Sequence, residues 1–192
     1  MLKIAILGSG YGSNCQAIID AAESGTLEVD ITCVLSDVED AYILERARNH
    51  DIDYYFIDCS PYQTVLKENA EQEVLDILDN HDVQLVILAG FMRIIKSSFL
   101  DAYSNKVINI HPSLLPDFPG LNAGKQAFDA GVSETGCTVH FVNEDIDSGE
   151  IIQQEMVKVE ANDDLDSLMK KIHAAEHVAY PQAIKKIIKE YL

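Results

Sequence analysis

The sequence predicts an α/β fold: an open, doubly wound, mostly parallel sheet with helices on both faces and a late antiparallel strand. Three observations carry that reading. Short runs rich in Val, Ile and Leu recur through the first 110 residues, apolar enough to be buried on both faces of a sheet. Stretches with helical spacing separate them, the pattern of βαβ units. From Cys137 onward two strand-like runs follow one another with no helix between them.

Taken in order, Leu2 to Leu7, bounded by Gly8, reads as a buried strand. Ser13 is placed to cap a helix running to about Ser24, with Ala17, Ile18, Ala21 and Ala22 on its apolar face. Val29 to Leu35 is a second strand, Ala41 to His50 a helix, and Tyr54 to Ile57 a third strand. Pro61 opens a helix reaching about Asn80, with Val65, Leu66, Val74, Leu75 and Leu78 inward. Gln84 to Ala89 and Lys106 to Ile110 are further strands. Cys137 to Val142 and Ile151 to Val157 form the late pair, and Asp164 to Leu192 is a closing helix with Pro181 as a site for a kink. No repeat, low-complexity tract or linker interrupts the chain, so one domain over residues 1–192 is expected.

Composition narrows the partners. Against 14 Lys and Arg stand 32 Asp and Glu, a formal net charge of −18. Phosphate-backbone binding needs clustered cations, so nucleic acid and anionic membrane are excluded as expected partners, leaving small-molecule substrates. An anionic substrate must then be held by a local positive feature, because the whole-protein field repels it. Cys15, Cys33, Cys59 and Cys137 form no C-x-x-C pair and read as reduced thiols of a cytoplasmic protein. The six histidines do not cluster with them, so no metal is expected. No apolar run approaches a membrane span. Monomer and homodimer both fit.

In an open α/β sheet, ligands bind beyond the carboxyl ends of the strands. The loops of interest therefore follow Leu7, Ala89 and Ile110, joined by residues 143–149 between the late strands. Gly8-Ser9-Gly10-Tyr11-Gly12-Ser13-Asn14 leads from strand to helix, where backbone N–H groups make an anion seat without lysines. It is not a Walker A loop, since no Lys-Ser/Thr follows. It is a partial dinucleotide fingerprint, with Ser13 in place of the third glycine and Asp37 available to a ribose. A nicotinamide-linked dehydrogenase is therefore one alternative, and a tight turn that binds nothing is another.

Val107-Ile108-Asn109-Ile110-His111-Pro112 is the most informative stretch. Strand alternation puts Asn109 and His111 on one side at a strand end. An amide and an imidazolium there can hold a developing oxyanion, and a neutral imidazole can act as base. Against this stands a histidine that merely bonds backbone. A carboxylate of the acidic loop Asn143 to Gly149, brought to the same mouth, would steady the imidazole in its charged form, but acidic residues with Gly are also common turn formers. His140, one strand earlier, is a secondary candidate that could equally pack in the core.

Four motifs, in order, carry a resemblance: Gly10-Tyr11-Gly12-Ser13-Asn14, Leu88-Ala89-Gly90-Phe91-Met92-Arg93-Ile94-Ile95, Asn109-Ile110-His111-Pro112-Ser113-Leu114-Leu115-Pro116, and Asp147-Ser148-Gly149. On these the chain resembles, over essentially its whole length, the phosphoribosylglycinamide formyltransferase family of folate-dependent enzymes. The resemblance implies the formyltransferase fold. It also implies transfer of formyl from 10-formyltetrahydrofolate, the co-substrate, to the amine of glycinamide ribonucleotide in purine synthesis. By position, Asn109, His111 and Asp147 match the catalytic trio. Gly12, Ser13 and Asn14 would take the ribonucleotide phosphate and Glu176 its ribose. Met92, Arg93, Ile94 and Ile95, with Asn109, would line the folate site, Arg93 near the pterin or its attached chain. The chain departs from the family at Ser148, often Gly, at Asn122-Ala123-Gly124, often carrying His, and at His173, often Lys. His173 is therefore a secondary phosphate candidate. The nearest rival is formyltetrahydrofolate deformylase, which spends the same donor on water and usually carries an added N-terminal domain.

Overall fold

The computed structural model describes residues 1–191. Packing divides the chain into two compact units, Met1–Ile108 and Asn109–Leu192. Seven strands form one sheet in the order β3-β2-β1-β4-β5-β6-β7, and the division falls within β5 (Val107–His111).

The first unit holds β1 (Leu2–Leu7), α1 (Ser13–Glu23), β2 (Val29–Ser36), α2 (Tyr42–Asn49), β3 (Asp53–Phe56), α3 (Glu68–Asn80), β4 (Leu85–Leu88) and α4 (Ser97–Ala102). Strand β1 pairs in parallel with β2 and with β4, and β2 in parallel with β3. Ile4, Ala5, Ile6 and Leu7 are all fully buried. Neighbouring side chains on a strand point to opposite faces, so both faces of β1 are covered. That is why the sequence shows an unbroken apolar run here rather than alternation. Ile18 and Ile19 of α1, Ile43 and Ala47 of α2, and Val74 and Leu78 of α3 supply buried apolar surface in the same unit.

The second unit holds α5 (Ala123–Asp129), β6 (Glu134–Phe141), β7 (Ile151–Lys158) and α6 (Leu165–Tyr191). β6 and β7 pair antiparallel from Glu134↔Lys158 to His140↔Ile151, as the missing helix between them leads one to expect. Their register slips between Val139 and His140. The unpaired residue is Ile152, on β7: Gln153 faces Val139 and Ile151 faces His140. Leu168, Ile172, Ala179, Ala183 and Ile184 of α6 are fully buried, a stripe at helical spacing. The helix runs through Pro181.

Several expectations need correction. Gly12, not Ser13, is the cap of α1, and no side chain caps it; Ser13 is the first helical residue. No helix starts at Pro61: α3 begins at Glu68. Residues 61–64 instead form turns and bends, and Val65 makes an isolated parallel bridge with Ile94 in the segment after β4. Leu66 N–H bonds the Ile94 carbonyl at 3.0 Å and Ile94 N–H bonds Thr64 at 2.9 Å. The short helices α4 and α5 were not foreseen, and β6 starts three residues ahead of Cys137. The closing helix begins at Leu165, and Leu192 lies outside the described residues. Among the described residues no helix is long and apolar enough to cross a membrane.

Candidate active site

The first unit carries the glycine loop. Gly12 is left-handed, φ 73° and ψ 31°, and a Cβ there would stand 2.9 Å from Ile43 Cα. Glycine is thus required twice, by conformation and by close approach. The first helical bond runs from Gln16 N–H to the Gly12 carbonyl at 3.0 Å. The N–H groups of Gly12 and Ser13 precede it and form the positive end of α1, with Asn14 buried behind them. α2 holds the loop from the side. Arg46 Nε donates to the Tyr11 carbonyl at 2.8 Å and Nη1 to Gln16 Oε1 at 2.9 Å. The same guanidinium lies over the stacked rings of Tyr11 and Tyr42, 4.5 and 4.8 Å from their centroids. Gly12→Ala should therefore cost at least about 1–2 kcal/mol of stability from the left-handed backbone alone. Its Kd for inorganic phosphate should rise as well. Unchanged melting and Kd would show that the loop neither needs glycine nor seats an anion.

Asp37 is not open to a ribose. Its side chain is 3% exposed. One carboxylate oxygen accepts the Ser9 hydroxyl, and the other accepts Arg93 Nε at 2.5 Å. Arg93 Nη1 also donates to the Tyr62 carbonyl at 2.6 Å. The dinucleotide alternative loses the acid it relied on. Met92 and Ile94 are exposed beside it and Ile95 is buried.

The second unit gathers the amide, imidazole and carboxylate. His111 Nδ1 lies 3.2 Å from Asp147 Oδ2, and His111 Nε2 lies 2.9 Å from the Phe118 carbonyl. Both partners are acceptors, an arrangement that a ring carrying both N–H groups would satisfy. His140 Nδ1 meets the Phe141 carbonyl at 2.8 Å. Its Nε2 stands between Asn109 Nδ2 at 3.5 Å and Asp147 Oδ1 at 3.7 Å. A neutral ring accepts from Asn109; a protonated one donates to Asp147. In either form His140 bonds one of the two and stands beside the other.

Local backbone geometry makes this meeting. Asp147 has φ 51° and Phe118 φ 54°, both left-handed. Such conformations are uncommon for residues with a Cβ and concentrate where the surroundings dictate them. Here they turn the Asp147 carboxylate and the Phe118 carbonyl onto His111. Gly120 N–H donates to Asp147 Oδ2 at 2.8 Å. A Cβ on Gly149 would strike the Phe141 carbonyl, so only glycine lets the acidic loop close onto β6. Thr138 Oγ1 fixes the turn after β5, donating to the Ser113 carbonyl at 2.7 Å and accepting Leu115 N–H at 3.0 Å. Phe118, Gly120 and Thr138 escaped the sequence reading. Only the proline-dense stretch Pro112 to Pro119 hinted that a rigid turn mattered.

Glu176 is buried on α6, close enough for its charge to add to the burial that pushes the Tyr180 hydroxyl and the Cys137 thiol upward, the latter to about 12. His173 is exposed on the same helix.

Burial pushes the Asp147 carboxyl up, but the His140 ring, the Gly120 N–H and the His111 charge outweigh it and hold it below the ordinary 3.8. A depressed folded-state value means that the stabilisation is complete above 3.8 and is lost as pH falls through the lower folded value. The melting temperature should drop below pH 3.8, and Asp147→Asn should flatten part of that drop. Identical acid slopes would remove Asp147 from the transition.

An α/β sheet with an amide, an imidazole and a carboxylate at a strand end has the donors of an enzyme that moves an acyl group through an oxyanion. The formyl transferase family model matches residues 2–184, and the chain belongs to that family. It is 39% identical to the phosphoribosylglycinamide formyltransferase of Bacillus subtilis over 98% of this chain and 95% of that one. It is 41% identical to the trifunctional purine biosynthetic protein adenosine-3 of Chironomus tentans, spanning 99% of this chain but 14% of that protein. The crystal structure of phosphoribosylglycinamide formyltransferase from Bacillus halodurans superposes with TM-score 0.92 at 40% identity, covering 99% of this chain and 97% of that one. A formyltetrahydrofolate deformylase from Pseudomonas syringae superposes with TM-score 0.88 at 30% identity, over 95% of this chain and 60% of that one.

Proposed function

We propose that the chain transfers the formyl group of 10-formyltetrahydrofolate to the amine of 5'-phosphoribosylglycinamide in de novo purine biosynthesis, with Asn109, His111 and Asp147 at the reacting carbon. The observation that carries the site assignment is the 3.2 Å contact between His111 Nδ1 and Asp147, with the His140 ring standing between Asn109 and that carboxylate.

The substrate amine bonds to the formyl carbon and the carbonyl pair moves onto oxygen. Asn109 Nδ2, half-buried at the strand end, donates to that oxygen. His111 Nε2 faces the Phe118 carbonyl at rest. A developing oxyanion is the stronger acceptor and draws the same N–H across. When the oxyanion collapses, the bond from carbon to the folate N10 breaks. The proton lost by the attacking nitrogen ends on N10, with Asp147 and His111 as the acid–base pair that moves it. Gly12, Ser13 and Asn14 seat the ribonucleotide phosphate and Glu176 its ribose. Met92, Arg93, Ile94 and Ile95, with Asn109, receive the folate. His173 is a further phosphate contact.

That one family model covers residues 2–184 supports a single catalytic domain. The excess of 32 acidic over 14 basic residues, a net charge of −18, supports small molecules, rather than nucleic acid or membrane, as partners. Its cysteine pattern supports a cytoplasmic location, and the working unit is a monomer or a homodimer.

Purified protein should form tetrahydrofolate from 10-formyltetrahydrofolate only when glycinamide ribonucleotide is present. Equal turnover without the ribonucleotide would identify a deformylase and overturn the proposal.

A further inference from the structure

Asp37 serves no part of the chemistry described above, yet it is among the few buried charged side chains of the first unit. It lies just past the end of β2, and its two oxygens are divided between two loops. Oδ1 takes the hydroxyl proton of Ser9, in the glycine loop. Oδ2 takes Arg93 Nε at 2.5 Å, in the segment after β4. The two loops are joined again beside it. Ser9 Oγ accepts Met92 N–H at 2.8 Å, and Ser9 N–H donates to the Gly90 carbonyl at 3.0 Å. Ser9 thus uses its one hydroxyl proton on Asp37 and its oxygen on Met92. Through Arg93 Nη1 and the Tyr62 carbonyl at 2.6 Å, the same ion pair reaches the loop after β3. One carboxylate therefore ties the loops that follow β1, β3 and β4 to the end of β2.

We propose that Asp37 is a positioning residue: it holds Ser9 and Arg93 so that the glycine loop and the Met92–Ile95 segment keep one fixed spacing, and the folate site depends on it through Arg93. This rests on the assignment of Met92–Ile95 to the folate made under the preceding heading. The geometry explains why a carboxylate is needed. Two acceptors on one rigid plane serve a hydroxyl and a guanidinium at once, and charge-assisted bonds of this kind are short and directional. Removing it leaves the Arg93 side chain, 14% exposed, without its counter-charge. The guanidinium would then turn toward solvent and take the Met92–Ile95 backbone with it.

The test is a double-mutant cycle on Asp37→Ala and Arg93→Ala, read by KM and kcat for the formyl donor and by equilibrium dialysis with 10-formyl-5,8-dideazafolate. Asp37→Ala should weaken the folate on both readouts by about tenfold, the middle of the range for residues sharing one hydrogen-bond network, with kcat moving less than KM. In the Arg93→Ala background the same substitution should add almost nothing. Should Asp37→Ala not fold, Asp37→Asn takes its place with the same readouts, and Ser9→Ala reports the other oxygen. A lowered melting temperature with unchanged folate affinity would make Asp37 merely structural and overturn the proposal. Full additivity with Arg93→Ala would overturn it as well. Wild-type protein that binds the folate analogue but shows no ribonucleotide-dependent turnover would sink the assigned reaction alone, because the dialysis still reads Asp37.

Discussion

Asp147→Asn is expected to lower kcat by about 10²–10⁴-fold, the usual weight of a positioned acid–base group, while both KM values change little. The substitution keeps size and shape. The amide oxygen can still accept Gly120 N–H, which now bonds Asp147 Oδ2 at 2.8 Å, so the acidic loop should stay closed. What disappears is the negative charge 3.2 Å from His111 Nδ1 and 3.7 Å from His140 Nε2. Two imidazole rings would then face a neutral group that can accept from only one of them. A charged His111 ring would lose its counter-charge, and the proton route to N10 would lose a member. Steady-state kinetics with each substrate varied checks this. If KM rises while kcat is preserved, Asp147 is holding a substrate rather than moving a proton.

How much of this was legible in the sequence differs between local and distant pairings. The strands were, because Ile4 to Leu7 and Leu85 to Leu88 are buried on both faces and leave unbroken apolar runs. The pairing of Asn109 with His111 was as well, since the two-residue period of a strand is a local rule. Segment 61–67 was misread as helix because its backbone is satisfied by Ile94, some thirty residues away, which no local periodicity records. β6 was begun late because Glu134, Thr135 and Gly136 carry no apolar signal; their ladder partners Met156, Val157 and Lys158 make them strand. Asp147 entered through a family motif, and nothing in its spacing required it to meet His111. The left-handed turns that bring it there occur at Asp147 and Phe118, where no glycine announces them. Asp37 falls near the fingerprint position, which leaves a ribose contact as one alternative in the sequence. Its true partner, Arg93, is 56 residues further along the chain.

Asn109→Ala is expected to cost about 10²–10³-fold in kcat, the loss seen when one preorganised donor to an oxyanion is removed. The fold should survive it, because Asn109 is half-buried and its one direct side-chain partner, the His140 ring, stands at the long distance of 3.5 Å. That weak contact matters in a different way. His140 Nδ1 is anchored on the Phe141 carbonyl at 2.8 Å, so it orients the amide without competing strongly for it. The amide remains able to strengthen its bond when charge appears on the formyl oxygen, which is what separates transition-state stabilisation from ground-state binding. Asn109→Asp discriminates further. It keeps volume but supplies no N–H, and its charge repels the oxyanion, so it should be at least as slow as the alanine variant. A His140→Ala variant should fall between wild type and Asn109→Ala, and the pair should be less than additive, since one acts through the other. Were Asn109→Asp to match wild-type kcat, donation to an oxyanion could not be its task, and stabilisation would have to come from His111 alone.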